Sequence, residues 1–133
     1  QRAWLDKLAG GFTVSAGRSG DKMSTLNQLV VAAAQMGMLW VPVPITGGHY
    51  STAGSESDLN RIAGYLGVMA QANIDEGPDK APPPSDLETA RIYGRHIARL
   101  AARMRAGREA LGEGQPEPFE GRPRGLSEML PPA

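Results

Sequence analysis

Gly10-Gly11-Phe12-Thr13-Val14-Ser15-Ala16-Gly17-Arg18-Ser19-Gly20-Asp21 begins the stretch that decides the fold, and Met38-Leu39-Trp40-Val41-Pro42-Val43-Pro44-Ile45 ends it. The first six residues read as a strand, approached through Trp4 and Leu8. The closing segment is nearly all apolar rather than alternating, as expected of a strand buried on both faces of a parallel sheet. Pro42 and Pro44 lack backbone donors, which argues for a place at a sheet edge. Between the two, Met23, Leu26, Leu29, Val30 and Ala33 recur at helical spacing. Asp21 stands where an N-cap belongs, and Gly37 where a left-handed C-terminal residue belongs. Strand, helix, strand in that order is a βαβ unit with a right-handed crossover.

Downstream, Pro82-Pro83-Pro84 leads into a second helix. Ser85 and Glu88 have capping-box spacing, and Leu87, Ala90, Gly94, Ile97, Ala101 and Met104 form a stripe expected to lie on the sheet. From about Arg105 the composition shifts toward Gly, Pro, Glu and Arg, so 105–133 reads as the end of the last helix and a flexible tail. The stretch 46–81 is too long for a plain connection and is expected to hold a short strand near Leu66 to Ala70.

Two parallel strands and two helices leave apolar surface uncovered, at roughly 25 cal/mol per Å². Residues 1–104 are therefore expected to be the C-terminal half of a larger α/β domain, with Gln1 reading as a cut edge. In open parallel sheets ligands sit at the carboxyl ends of the strands. Both such ends lead into loops of small and hydroxyl residues, Val14 to Gly20 and Thr46 to Thr52. The first runs into a helix N-terminus, whose free N–H groups suit electron-rich ligands.

The 133 residues carry fourteen basic and fourteen acidic side chains, so no net basic field invites nucleic acid. The absence of cysteine rules out thiol catalysis and Cys-ligated zinc, and it suits a reducing cytoplasm. The apolar run from Leu29 to Ile45 is broken by Gln35, Gly37 and two prolines, a poor membrane span. Gly17 to Ser24 has the residues of a phosphate-binding P-loop in the wrong order, because Asp21 separates Gly20 from Lys22. No Gly-x-Ser-x-Gly elbow surrounds Ser19. His49 and His96 lack metal-ligand spacing, so no metal site is expected. Arg91, Arg95, Arg99 and Arg103 read as a solvated helix face.

Several stretches resemble the later half of the flavodoxin family, nearest the WrbA-type NAD(P)H:quinone oxidoreductases and NADPH-dependent FMN reductases. They are Lys7 to Thr13, Gly20-Asp21-Lys22 with Ser24-Thr25-Leu26, and Gln35-Met36-Gly37-Met38. Asp58-Leu59-Asn60-Arg61, Gly64 to Gly67, Met69-Ala70-Gln71, Gly77-Pro78-Asp79 and Pro82 to Leu87 continue the series in order. The resemblance implies a flavodoxin-like α/β three-layer sandwich with a parallel sheet, here represented by its C-terminal half. It implies FMN as cofactor, NAD(P)H as co-substrate, and a quinone or similar small-molecule electron acceptor. Val14, Ser15, Ala16, Gly17, Arg18, Ser19 and Gly20 would contact the flavin's pyrimidine edge, chiefly through backbone groups. Gln35 and Met36 stand where WrbA-type relatives carry a histidine near the flavin. The family's phosphate-binding loop would lie upstream of Gln1, and no catalytic side chain is assigned. A homo-oligomer is implied too, since family sites are often completed by neighbouring subunits. The alternative is a flavodoxin-like electron carrier or interaction module without turnover.

Overall fold

The computed structural model describes residues 3–114. Most of the expected tail therefore lies outside the described residues. Four short strands and two helices follow in the order β1 (Leu8–Ala9), β2 (Phe12–Ser15), α1 (Lys22–Gln35), β3 (Leu39–Trp40), β4 (Val68–Gln71) and α2 (Pro84–Leu111). Both pairings are parallel: β1 with β3, and β2 with β4. Residues 8–15 act as one interrupted strand whose two halves find different neighbours. Leu39 N donates to Lys7 O (2.9 Å) and Val41 N to Ala9 O (2.8 Å), whereas Val68 N donates to Gly11 O (3.1 Å).

The expected βαβ unit forms, with β1 and β3 side by side and parallel, but the two segments do not stay together as far as Ser15 and Ile45. Ser15 pairs with Gln71, and the chain leaves the first ladder after Val41 to return at Val68. Nor is Met38 to Ile45 buried on both faces. Val41 and Val43 are buried while Pro42 and Pro44 are exposed, the alternation of a strand covered on one side. Pro42 falls between inward-facing Val41 and Val43, whose N–H groups are bonded, and both prolines point outward, away from that ladder. The strand foreseen near Leu66 to Ala70 forms two residues later and is the most buried of the four.

The junction of the two ladders is tight. Gly67 stands where an added Cβ would lie 2.4 Å from Gly11 O, so a side chain there must push β2 and the excursion apart. Gly10 and Gly11 let both helices approach opposite faces. A Cβ on Gly10 would meet Tyr93 and Ile97 of α2, and one on Gly11 would meet Leu29 and Leu26 of α1. Helix α1 seats through Leu26 and Ala33 and ends at Gly37, which takes the expected left-handed backbone (φ 75°). A core of Val41, Val43, Val68 and Tyr93 is packed with Leu8, Ile45, Ala90, Ile97 and Leu100.

Three local expectations fail for stated reasons. Asp21 occupies the N-cap position of α1 but is itself left-handed (φ 52°), and its side chain makes no capping bond. Ser85 is not the cap of α2, because the helix starts earlier, with Pro84 just inside it. The Ser85 hydroxyl donates instead to Glu56 O (2.9 Å), and Glu88 pairs with Arg91 and Arg95. Finally, the apolar stripe is only partly the seated face of α2: Ala90 and Ile97 pack against the core, but Leu87, Gly94 and Ala101 are exposed, while Ser85, Asp86, Thr89 and Tyr93 are buried. The helix runs on to Leu111, where Gly112 closes it with a left-handed backbone (φ 67°). Among the described residues no helix is long and apolar enough to cross a membrane.

Candidate functional site

The carboxyl ends of β2 and β4 lie side by side, and the loop leaving β2 covers them. Its shape depends on Gly20, whose backbone is left-handed (φ 52°). Any Cβ there would fall 1.9 Å from Ser15 Oγ. Ser15 Oγ in turn donates to Gly17 O (3.0 Å).

Every carbonyl along the crest of the loop is held by a side chain. Gln71 Nε2 donates to Ala16 O (3.2 Å), and Lys22 Nζ donates to both Gly17 O (2.6 Å) and Arg18 O (2.9 Å). In a trans peptide the carbonyl and the following N–H point in opposite directions. The amides of Gly17, Arg18 and Ser19 therefore face away from Gln71 and Lys22, and none of the three donates a hydrogen bond among the described residues. Free backbone N–H groups are donors suited to anionic or electron-rich groups. Lys22 itself is buried. Burial lowers its pKa, the Asp86 carboxylate raises it, and the Arg61 guanidinium lowers it.

Beneath this loop the start of α2 is tied to β4 and to the 44–66 excursion. Arg61 Nε and Nη2 donate to Asp86 Oδ1 and Oδ2 (2.8 Å each), and Gln71 N adds a third bond to Oδ2 (2.9 Å). The hydrogen bond to Asp86 raises the Arg61 pKa despite the opposing effect of burial. Asn60 pins the excursion from both sides: Nδ2 donates to Ile45 O (2.9 Å), and Oδ1 accepts from Gly64 N (3.0 Å). Its backbone N–H donates to Thr89 Oγ1 of α2 (2.8 Å).

Between the β2 loop and the excursion opens a cleft of ≈ 340 Å³, lined by Arg18, His49, Glu56, Arg61, Ile62 and Gln71. Glu56 sits at its centre, 3.4 Å from Arg18 Nη2 and 3.9 Å from His49 Nδ1, and it is also bonded to Arg61. Of the two loops expected to lie at the strand ends, Val14 to Gly20 contributes Arg18 to this cleft and Thr46 to Thr52 contributes His49, while Glu56, Arg61 and Ile62 come from further along the excursion.

Of the residues singled out from sequence, Val14 and Ser15 end β2, paired with Ala70 and Gln71, and Ala16, Gly17, Arg18, Ser19 and Gly20 form the loop that follows at the sheet's carboxyl end. The structure does not bring Gln35 and Met36 there. They end α1, fourteen residues long, which places them about 20 Å from the loop at 1.5 Å per residue. Sequence reasoning gave no role to Lys22, Gln71, Arg61 or Asp86. Arg61, Asp86 and Gln71 find their partners 15 to 55 residues away, where no local signal reaches, and Lys22, whose carbonyls are only four and five residues away, reads as a solvated helix start until its burial is known.

No family model matches the chain. It is 35% identical over 105 residues to Flavodoxin FldP of Pseudomonas aeruginosa, covering 79% of this chain and 56% of that protein. It is 32% identical over 115 residues to NAD(P)H dehydrogenase (quinone) 3 of Rhizobium meliloti, covering 85% of this chain and 50% of that protein. Among solved structures, a flavodoxin, WrbA-like protein from Agrobacterium tumefaciens matches with a TM-score of 0.51 and 35% identity, over 77% of this chain and 47% of that one. The chain spans about half the length of the curated relatives it matches. Parallel strand pairing, a helix on each face and these likenesses agree: the chain belongs to the flavodoxin-like family and is related to the WrbA-type NAD(P)H:quinone oxidoreductases.

Proposed function

We propose that this chain supplies the pyrimidine side of an FMN site in an NAD(P)H-dependent oxidoreductase of the quinone or flavin reductase type. The observation that carries the reading is the row of three free amides, Gly17, Arg18 and Ser19, at the carboxyl end of a parallel strand pair. A flavin's pyrimidine edge is rich in carbonyl oxygen and ring nitrogen, and such an edge is what convergent N–H donors bind. Val14, Ser15, Ala16 and Gly20 shape the loop, whose small side chains permit close backbone approach.

FMN, when bound, would supply the hydride and electron chemistry. The protein's part is to bind and orient it, and no side chain of this chain is given a catalytic role. The cleft around Arg18 and Glu56 adjoins the loop and offers a charged, open approach to small-molecule substrates. NAD(P)H as donor and a quinone or similar small molecule as acceptor follow from the kinship with quinone reductases. A homo-oligomer in the cytoplasm accords with the reading. Gln35 and Met36, remote from the loop within one chain, would reach a flavin only in a neighbouring copy.

A second reading, an electron carrier without turnover, is favoured by the likeness to a protein named as a flavodoxin. The two separate in one experiment on the full-length protein. FMN titration followed by NAD(P)H addition should give a yellow protein that reduces a quinone. Tight FMN binding without NAD(P)H oxidation would leave only the carrier, and no FMN uptake would overturn both.

A further inference from the structure

A Gly/Ser-rich turn has no intrinsic reason to present donors instead of acceptors, and Lys22 is placed where it decides the matter. It is the first residue of α1 and only 1% exposed. A cation at a helix N-terminus opposes the helix dipole, and burying an ammonium costs more still. Both costs fall on one residue, and what that residue contacts is the loop: its ammonium turns the Gly17 and Arg18 carbonyls inward. Gln71 does the same for Ala16 from β4. Without these clamps the peptides could flip and present carbonyl lone pairs to the ligand, repelling the carbonyl-rich edge of a flavin.

We propose that Lys22, aided by Gln71, is a positioning residue for the flavin. It fixes the polarity of the 16–19 peptides so that they donate, and its charge beneath the loop favours reduced FMN over oxidised FMN. This rests on the FMN reading above. Reduced FMN at neutral pH carries an additional negative charge on its ring. With FMN held by these amides, the fixed cation on the carbonyl side of the same peptides would act on that form more strongly than on the neutral oxidised ring. Gln71 is neutral and orients only, so the two clamps are separable.

The test compares FMN affinity and midpoint potential in the full-length protein for wild type, Lys22→Met, Gln71→Leu and Tyr93→Phe. Lys22→Met should weaken oxidised FMN about tenfold, as lost charge-assisted clamping predicts, and weaken reduced FMN further. Each additional tenfold on the reduced form lowers the two-electron potential by about 30 mV. Gln71→Leu should weaken binding severalfold with little change in potential. Tyr93→Phe, in the core away from the loop, should leave both unchanged. Wild type that binds FMN beside a Lys22→Met variant of equal affinity and potential overturns this proposal and spares the FMN site. If Lys22→Met does not fold, unchanged affinity in Gln71→Leu overturns the clamp. Wild type that takes up no FMN overturns the site itself.

Discussion

The two helices are seated on the sheet by opposite means. Helix α1 is held by Leu26 and Ala33, apolar and buried, with one charge, Lys22, tucked under the loop. Helix α2 is seated near the ligand end by Asp86 and Thr89, and only further along by Tyr93, Ile97 and Leu100. An apolar contact tolerates small shifts, because dispersion and burial are non-directional. A bidentate Arg–carboxylate pair does not, because its bonds fix angle as well as distance. The polar seat lies where β4, the excursion and the cleft meet. The apolar seats lie where only cohesion is asked.

That contrast is most severely tested at Asp86. Replacing it with Ala leaves Arg61 with the half-exposed Glu56 as its remaining anionic partner and Gln71 N without an acceptor. A loss of about 3–5 kcal/mol in denaturant unfolding is expected for breaking a buried pair. Leu26→Ala, the apolar counterpart, should cost about 3 kcal/mol by the burial and cavity terms. It should leave the Arg18–Glu56 cleft unchanged, whereas Asp86→Ala should disorder it. Amide exchange at residues 56–61 reads the difference, and equal loosening by both variants would erase the distinction between the seats.

A smaller effect is expected at Tyr93, which joins both modes by packing in the core while its hydroxyl donates to Val41 O. Tyr93→Phe leaves that carbonyl unpaired, at a cost of about 1–2 kcal/mol. Burial raises the phenol's pKa above its ordinary 10.0, with the Gly11 backbone amide opposing. The folded state therefore keeps the proton longer than the unfolded state. This contribution is intact below pH 10.0 and is lost as pH climbs through the raised value. Lys22 has the opposite sign: its pKa is lowered from 10.5, so its burial cost is present at neutral pH and eases as pH approaches 10.5. Tyr93→Phe should accordingly show less alkaline destabilisation than wild type in unfolding curves above pH 10.0. The smallest effect belongs to Glu56→Gln, which neutralises a half-exposed carboxylate paired with Arg18 and Arg61 while Asp86 still holds Arg61, and should change stability by under about 1 kcal/mol. A larger change would mean that the rim of the cleft is part of the polar seat.

Where apolar spacing and turn chemistry act locally, the sequence was readable. Leu26 and Ala33 mark the buried side of α1, and Gly37 ends it in the left-handed conformation. The same method read only part of α2, where Ala90 and Ile97 do pack on the core. Its apolar residues Leu87 and Ala101 face outward, since the seated face near Ser85 to Thr89 is polar and satisfied by Arg61, Asn60 and Glu56. The site was legible as a stretch, Val14 to Gly20, because small residues after a strand have a local signature. Its polarity was not, because Gln71 lies 55 residues from the carbonyl it holds.

The sequence by itself determined the βαβ order, the position of the small-residue loop after β2 and the kinship. Each of these is written in short-range periodicity, in glycines that permit special backbone angles, or in ordered motifs. Only the tertiary structure decided that the strand ending at Ser15 takes Val68–Gln71 as its neighbour, and that the loop's carbonyls turn inward. Pairing across a 26-residue excursion, from Val41 to Val68, depends on partners distant in sequence, and the Lys22 ammonium, though the carbonyls it holds are only four and five residues away, is buried by packing that the local sequence does not show. A hydrogen bond has no periodicity to betray its partner before the chain has closed.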